Sequence, residues 1–167
     1  MPALKFLRDK NMSDRDNIHE YFMRLAIEQA EIARSINEAP VGCVIVKDGQ
    51  IISVGYNRRE CDQNALSHAE ITAIKIACEV TGYWRLVDCD LYVTLEPCPM
   101  CGGAIINSRI SRVIFGCEDK KSGAFGSVIN LNEYNFNHKP EVVGGVLGEE
   151  TSKILSDFFY DLRKNKK

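Results

Sequence analysis

The chain has 167 residues, 45% hydrophobic and 26% charged, proportions that fit a soluble globular protein with a core and exclude a disordered chain. Its formal net charge of -2 excludes a general basic character, so any RNA contact must come from local clusters, and no DNA partner is expected. No apolar run approaches the length of a membrane span, and seven cysteines without framework spacing predict free thiols in the cytoplasm.

The N-terminal part divides into an extension and a helix. Residues 1–14 show no clear hydrophobic periodicity and predict a flexible extension, whereas residues 15–167 contain no linker or repeat and predict a single domain. Ser13 and Asp14 are of the types that cap helices, and apolar residues recur after them at helical spacing. This pattern predicts an amphipathic first helix that ends near Asn37.

A hairpin and a second helix follow. Cys43–Lys47 and Gln50–Tyr56 are β-rich runs joined by Asp48-Gly49, a strong local signal of a hairpin turn. A polar, irregular stretch then leads to His68, where a helical pattern begins that runs to Gly82. The sequence therefore predicts two antiparallel strands before the second helix.

The next three elements alternate between strand and helix. A β-rich run at residues 91–95 precedes an apolar helical pattern from Cys98 to about Ser108, and a further strand is predicted at Arg112–Gly116. A strand, helix and strand in this order form a right-handed crossover between two parallel strands. The sheet is therefore expected to be mixed.

The C-terminal part completes the predicted fold. Cys117–Asn137 has the composition of a loop, Val142-Val143 predicts a short last strand, and apolar residues from Ile154 to Leu162 lie on one face of a last helix. Together the elements predict an α/β protein, a three-layer α/β/α sandwich with a mixed sheet of about five strands.

The polar residues that bear chemistry lie at two predicted helix starts. His68 and Glu70 begin one helix, and Cys98 and Cys101 begin the other. One histidine and two cysteines, the cysteines three residues apart, are ligand types that suit zinc. Structural zinc sites use four protein ligands, whereas catalytic sites keep a position for water, so three ligands beside a carboxylate predict a hydrolytic site.

A zinc-bound water beside a carboxylate is suited to hydrolysis. Zinc lowers the pKa of a water molecule from roughly 16 to roughly 7, and Glu70 is placed to move protons as a general acid and base. These groups fit a reaction in which hydroxide attacks an amino-substituted aromatic ring and ammonia is lost. Glu96 is the nearest other proton carrier in sequence, although beside Pro97 it is expected to be structural. A redox pair or a non-enzymatic zinc module is the alternative for an isolated C-x-x-C motif.

The pattern H-x-E followed by P-C-x-x-C is typical of the zinc-dependent nucleobase deaminases. From about Tyr21 to Lys167 the chain resembles the bacterial tRNA-specific adenosine deaminases, which belong to the zinc-dependent cytidine/deoxycytidylate deaminase superfamily. The stretches that carry the resemblance are Ala39–Gly42, Gly55–Asn57, His68–Glu70, Tyr92–Cys101, Ser108–Ile110, Phe136–His138, Asp157–Phe159 and Leu162-Arg163.

The resemblance implies a cytidine-deaminase-like fold and a hydrolase that converts adenosine to inosine at the wobble position of a tRNA anticodon. It implies one zinc ion per chain, an anticodon stem-loop as the RNA partner, and a homodimer. It assigns base-pocket roles to Val41, Asn57, His68 and Glu70, and anticodon-loop contacts to Asp119, Lys121, Asn137, His138, Phe159 and Arg163.

Some alternatives stay open at this point. The chain departs from residues common in the family at Leu66, Phe125 and Tyr160, while the metal motif is intact. Asp119 has a second interpretation as a carboxylate that stabilises its own loop, and His138 has one as a structural residue. A deaminase of free guanine or cytosine shares the zinc motif and the fold, and it is the alternative function.

Overall fold

The computed structural model describes the backbone of residues 12–165 and the side chains of residues 16–165. The elements in chain order are α1 Met12–Ser35, β1 Gly42–Lys47, β2 Gln50–Tyr56, α2 Arg59–Asp62, α3 Ala69–Thr81, β3 Cys89–Leu95, α4 Pro99–Asn107, β4 Arg112–Cys117, a 3-10 turn at Leu131–Glu133, β5 Glu141–Val143 and α5 Gly148–Lys164.

The strands form one sheet in the order β2-β1-β3-β4-β5. β1 is antiparallel to both β2 and β3, whereas β3, β4 and β5 run parallel to one another. The predicted hairpin and the predicted crossover through α4 are both present. The mixed five-stranded sheet expected from the sequence is therefore confirmed.

Each face of the sheet carries its own core. Alternate residues of β1 face opposite sides: Cys43 and Ile45 pack in the core with α3 and α4, and Val44 and Val46 pack in the core with α1. Val146 and Leu147, immediately before α5, pack on the α1 side. Because helices cover both faces, β1 has apolar side chains at successive positions rather than alternating polar ones. This arrangement is the predicted three-layer sandwich.

Several boundaries differ from the expectations. The backbone is helical from Met12, one residue before the predicted capping residues, and the rest of the predicted extension, residues 1–11, lies outside the described residues. A short helix, Arg59–Asp62, lies in the stretch expected to be irregular. Within residues 12–165, none of the helices has the length and apolar character that crossing a bilayer requires.

Glycine brings α3 directly against the backbone of the hairpin. A Cβ atom added to Gly55 in β2 would lie 2.2 Å from the carbonyl oxygen of Ala69 and 2.8 Å from the amide nitrogen of Ala73, both in α3. These are backbone atoms that cannot rotate away. Since Ala69 lies between His68 and Glu70, the contact fixes the position of the helix start that carries both residues.

Changing Gly55 to Ala is expected to lower the free energy of unfolding by about 1–3 kcal/mol, because overpacking against backbone forces α3 away from the sheet. Thermal unfolding measures the effect as a fall in Tm. The matched control is Gly103→Ala in α4, where an added Cβ meets no described atom within 4 Å and helix propensity improves. A Gly55→Ala variant as stable as the wild type contradicts the contact.

Candidate active site

Two helix starts converge at one end of the sheet. His68 is the residue at the N-terminal cap of α3, and Cys98 occupies the same position in α4, where Pro99 provides the first helical residue. Within the described part of the chain, neither side chain makes a hydrogen bond that caps its own helix. Both side chains are therefore free to act on a common ligand, at helix ends whose partial positive charge favours anions such as thiolates.

The metal-ligand geometry is present in the side chains. The Nδ1 atom of His68 lies 3.7 Å from the Sγ atom of Cys98 and 3.5 Å from the Sγ atom of Cys101, and the three ligand atoms lie within 4.8 Å of one another. A tetrahedral zinc ion at its usual bond lengths separates a nitrogen and a sulfur ligand by about 3.6 Å. The donor types and their spacing fit zinc, as the sequence predicted.

The two sulfurs differ in their affinity for a proton. The hydrogen bond from Cys101, together with His68, lowers the pKa of Cys98 to about 4, which makes this sulfur a thiolate at neutral pH. The same interaction with Cys98, together with burial, raises the pKa of Cys101. The pKa values of the two sulfurs are thus shifted in opposite directions, in the place where a cation would be held.

Glu70 is a buried carboxylate in the first turn of α3, with 4% of its surface exposed. Its burial raises its pKa to about 7, against the lowering effect of nearby groups that include His68. It lies outside the cluster of three ligands among the described residues. A carboxylate with a pKa near neutrality both accepts and releases protons at working pH, which is the requirement for a general acid and base.

A cavity of about 210 Å³ opens beside His68 and Cys98. Its lining joins seven of the predicted site residues, namely Val41, Asn57, His68, Glu70, Cys98, Asp119 and Phe159. The lining also contains residues that the sequence analysis did not select, among them Ala39, Arg59 and Ser122. These three flank predicted residues by one to three positions, so proximity in sequence was the available signal.

The remaining predicted contacts lie elsewhere on the described surface. Lys121 is exposed in the loop after β4, Asn137 is exposed before β5, and Arg163 is exposed in the last turn of α5. His138 is half-buried, and its Nε2 atom lies 2.6 Å from the carbonyl oxygen of Ile110. Their roles in RNA binding stay predictions.

Asn57 is held by a second buried carboxylate. Its Nδ2 atom donates to an Oε atom of Glu38 at 3.2 Å and to the carbonyl oxygen of Ala39 at 3.3 Å, while its Oδ1 atom accepts from the amide of Arg59. Glu38 is 1% exposed and also accepts from the amide of Cys61. The sequence analysis missed Glu38, because a single acidic residue after a helix has no local pattern that marks it as buried.

Asp119 makes hydrogen bonds within its own loop. One carboxylate oxygen accepts from the amides of Lys121 and Ser122 at 3.0 and 3.2 Å, and the other accepts from the hydroxyl of Ser122 at 2.5 Å. Asp119 therefore both stabilises the loop and lies at the pocket wall.

The sequence of the chain is similar to those of known deaminases. The sequence model of the MafB19-like deaminases matches residues 17–163. The chain is 49% identical to the tRNA-specific adenosine deaminase of Bacillus subtilis over 149 residues, which cover 89% of this chain and 92% of that protein.

Two solved structures resemble the fold. One comes from biochemical and structural studies of A-to-I editing by tRNA:A34 deaminases at the wobble position of transfer RNA. It has a TM-score of 0.79 and 41% identity, over 81% of this chain and 99% of the other. The guanine deaminase of Bacillus subtilis has a TM-score of 0.58 and 34% identity, over 71% and 87% of the two chains. The similarity to the tRNA deaminases is thus greater in sequence and in structure.

Proposed function

The chain belongs to the tRNA-specific adenosine deaminases, among the MafB19-like deaminases, and from this premise we propose that it converts adenosine to inosine at the wobble position of a tRNA anticodon. The observation that carries the proposal is the identity of 49% to a tRNA-specific adenosine deaminase across 89% of the chain. The described side chains fit this function, since His68 and Cys98 line one cavity with Glu70 and Asn57, and Cys101 lies within the same ligand cluster.

The proposed cofactor is one zinc ion per chain, held by His68, Cys98 and Cys101. When bound, zinc supplies Lewis acidity and a coordinated water whose pKa falls from roughly 16 to roughly 7. The lowered pKa of Cys98 suits this role, because a cysteine binds a metal ion as the thiolate.

Glu70 carries the protons in the proposed reaction. Attack of water on C6 of the adenine ring would release both of its protons. Glu70 would take them up in turn, passing one to N1 and the other to the amino group, which would leave as ammonia when the bond from C6 to the amino nitrogen breaks. Burial raises the pKa of this carboxyl, which favours a group that both accepts and releases a proton. Its position two residues after His68, at the same helix start, keeps it beside the reacting water.

The proposed base pocket combines apolar walls with one oriented amide. Val41 and Ala39 line the cavity on the side of the hairpin, and Asn57 contributes polar atoms. Both protons of the Asn57 amide nitrogen are engaged by Glu38 and Ala39, whereas its oxygen keeps a free lone pair. Asn57 therefore presents an acceptor to the substrate.

We propose that side chains around the cavity bind the nucleotides on either side of the reacting base. Phe159 is 43% exposed and lines the cavity, so it offers an aromatic face on which a neighbouring base stacks. Arg59 at the cavity lining is a cation suited to a phosphate. Lys121, Asn137, His138 and Arg163 are proposed as further contacts of the anticodon loop. We also propose a homodimer and a cytoplasmic location.

The test is deamination of an anticodon stem-loop with a wobble adenosine, followed by detection of inosine. Binding of the flanking nucleotides orients the reacting ring, so free adenosine and adenine are expected to react orders of magnitude more slowly. A stem-loop with guanosine at the wobble position is the matched control. The similarity to a guanine deaminase makes free guanine the competing substrate. Efficient deamination of guanine without reaction of the stem-loop contradicts the proposal.

A further inference from the structure

A third buried carboxylate, Glu96, lies between the end of β3 and the proposed ligand Cys98 and is 2% exposed. It faces the segment 118–130 between β4 and the 3-10 turn, which we call the wall loop. This loop contributes Asp119 and Ser122 to the lining of the cavity. Its conformation therefore determines the shape of one side of the pocket.

Four donors of the wall loop converge on the carboxylate. One oxygen of Glu96 accepts from the amides of Phe125 and Ser127, each at 3.0 Å. The other oxygen accepts from the amide of Asp119 at 3.0 Å and from the hydroxyl of Ser127. The donors span nine residues of the loop, so a single side chain connects its beginning to its end.

The loop backbone also packs closely around Glu96. A Cβ atom added to Gly123 would lie 2.4 Å from the carboxyl carbon, so only glycine allows this approach. The amide of Ala124 donates to the carbonyl oxygen of Pro97 at 2.9 Å, which fastens the loop to the residue after Glu96. These contacts bury the carboxylate beneath the loop.

The hydrogen bonds leave Glu96 unsuited to proton transfer. A carboxylate has about four acceptor positions, and the four donors of the wall loop occupy them. The three metal ligands, in contrast, lie at the starts of α3 and α4 and not in this loop. Loss of the carboxylate is therefore expected to alter the pocket wall more than the metal site.

We propose that Glu96 is a positioning residue whose carboxylate holds the wall loop in the conformation that receives the substrate RNA. The proposal deepens the proposed function and rests on it, because Asp119 and Ser122 face the substrate only if the RNA enters this cavity. Glu96 also lies at the cavity lining, but both of its carboxylate oxygens accept hydrogen bonds from the wall loop, and it acts through that loop.

The test is Glu96→Gln, which keeps the size of the side chain but turns one acceptor oxygen into an NH₂ group that faces two donors. Since hydrogen bonds to a charged acceptor are strong, KM for the stem-loop is expected to rise about tenfold or more, with a smaller change in kcat. Zinc content is expected to stay at that of the wild type. The control is Glu133→Gln, an exposed glutamate just beyond the loop, which should change neither constant.

Hydrogen exchange gives a readout that needs no substrate. In Glu96→Gln the amides of Asp119, Phe125 and Ser127 are expected to exchange faster than in the wild type, while those of β3 keep their protection. If the wild type fails to deaminate the stem-loop, the proposed function fails, and the exchange data still decide whether Glu96 holds the loop. Unchanged KM and unchanged exchange overturn the inference, and so does a loss of zinc with an unchanged KM.

A second variant covers the case in which Glu96→Gln does not fold. Ser127→Ala removes the hydroxyl donor and leaves three backbone donors on the carboxylate. It is expected to raise KM several-fold in the same direction, with kcat and zinc content close to those of the wild type. An unchanged KM in this variant overturns the inference.

Discussion

Changing Glu70 to Ala is expected to reduce turnover of the stem-loop by about 10²–10⁴-fold, because the group that moves the protons is lost. Zinc content is expected to remain at one ion per chain, since Glu70 lies outside the ligand cluster among the described residues. Single-turnover assays measure the rate, and metal analysis of the same preparation measures the zinc.

The matched control is Glu79→Ala, which removes an exposed carboxylate from the other end of the same helix. It should leave both turnover and zinc unchanged. A loss limited to a few-fold in Glu70→Ala means that another group transfers the protons. Loss of zinc in the same variant means that Glu70 supports the metal.

Changing Cys98 to Ser is expected to weaken zinc binding by more than about 100-fold, because even the loss of an outer hydrogen-bond partner of a ligand costs 10–100-fold. Turnover should fall to background, and Tm should fall as well, since metal binding is coupled to folding. Metal analysis after dialysis and thermal unfolding measure the two effects.

Cys61→Ser is the control for this variant, because Cys61 is exposed in α2 and lies outside the ligand cluster of the described residues. It should keep its zinc and its Tm. Full retention of zinc by Cys98→Ser shows that the ligand assignment is wrong.

The sequence predicted the architecture because the signals of its elements are local. The hairpin was predicted with strands Cys43–Lys47 and Gln50–Tyr56, and the structure has Gly42–Lys47 and Gln50–Tyr56. The turn residues Asp48 and Gly49 both have positive φ values, of 52° and 76°, as a tight hairpin turn requires. β3 was also predictable from neighbouring residues. Both of its faces are buried, so its sequence is a nearly continuous apolar run.

The cluster of possible metal ligands was predictable for the same reason, whereas the supports of the pocket were not. His68, Cys98 and Cys101 are marked by residue type and spacing, and the structure brings them together. Glu38 and Glu96 act through amides 19 to 31 residues away, a distance over which no periodicity connects donor and acceptor. Such contacts arise only once the sheet places the loops side by side.

Next to the pocket, the main chain of the hairpin is in close contact with the helices on both of its faces. Gly42 meets the backbone of α1 on one face of the hairpin, as Gly55 meets α3 on the other, with an added Cβ 2.0 Å from the carbonyl oxygen of Ala26. At this end three layers of main chain stack with no side chains as spacers, so rearrangement of flexible side chains cannot shift them. Substitutions that repack the distant core can therefore accumulate while His68 and Glu70, at the start of α3, keep their place beside the hairpin.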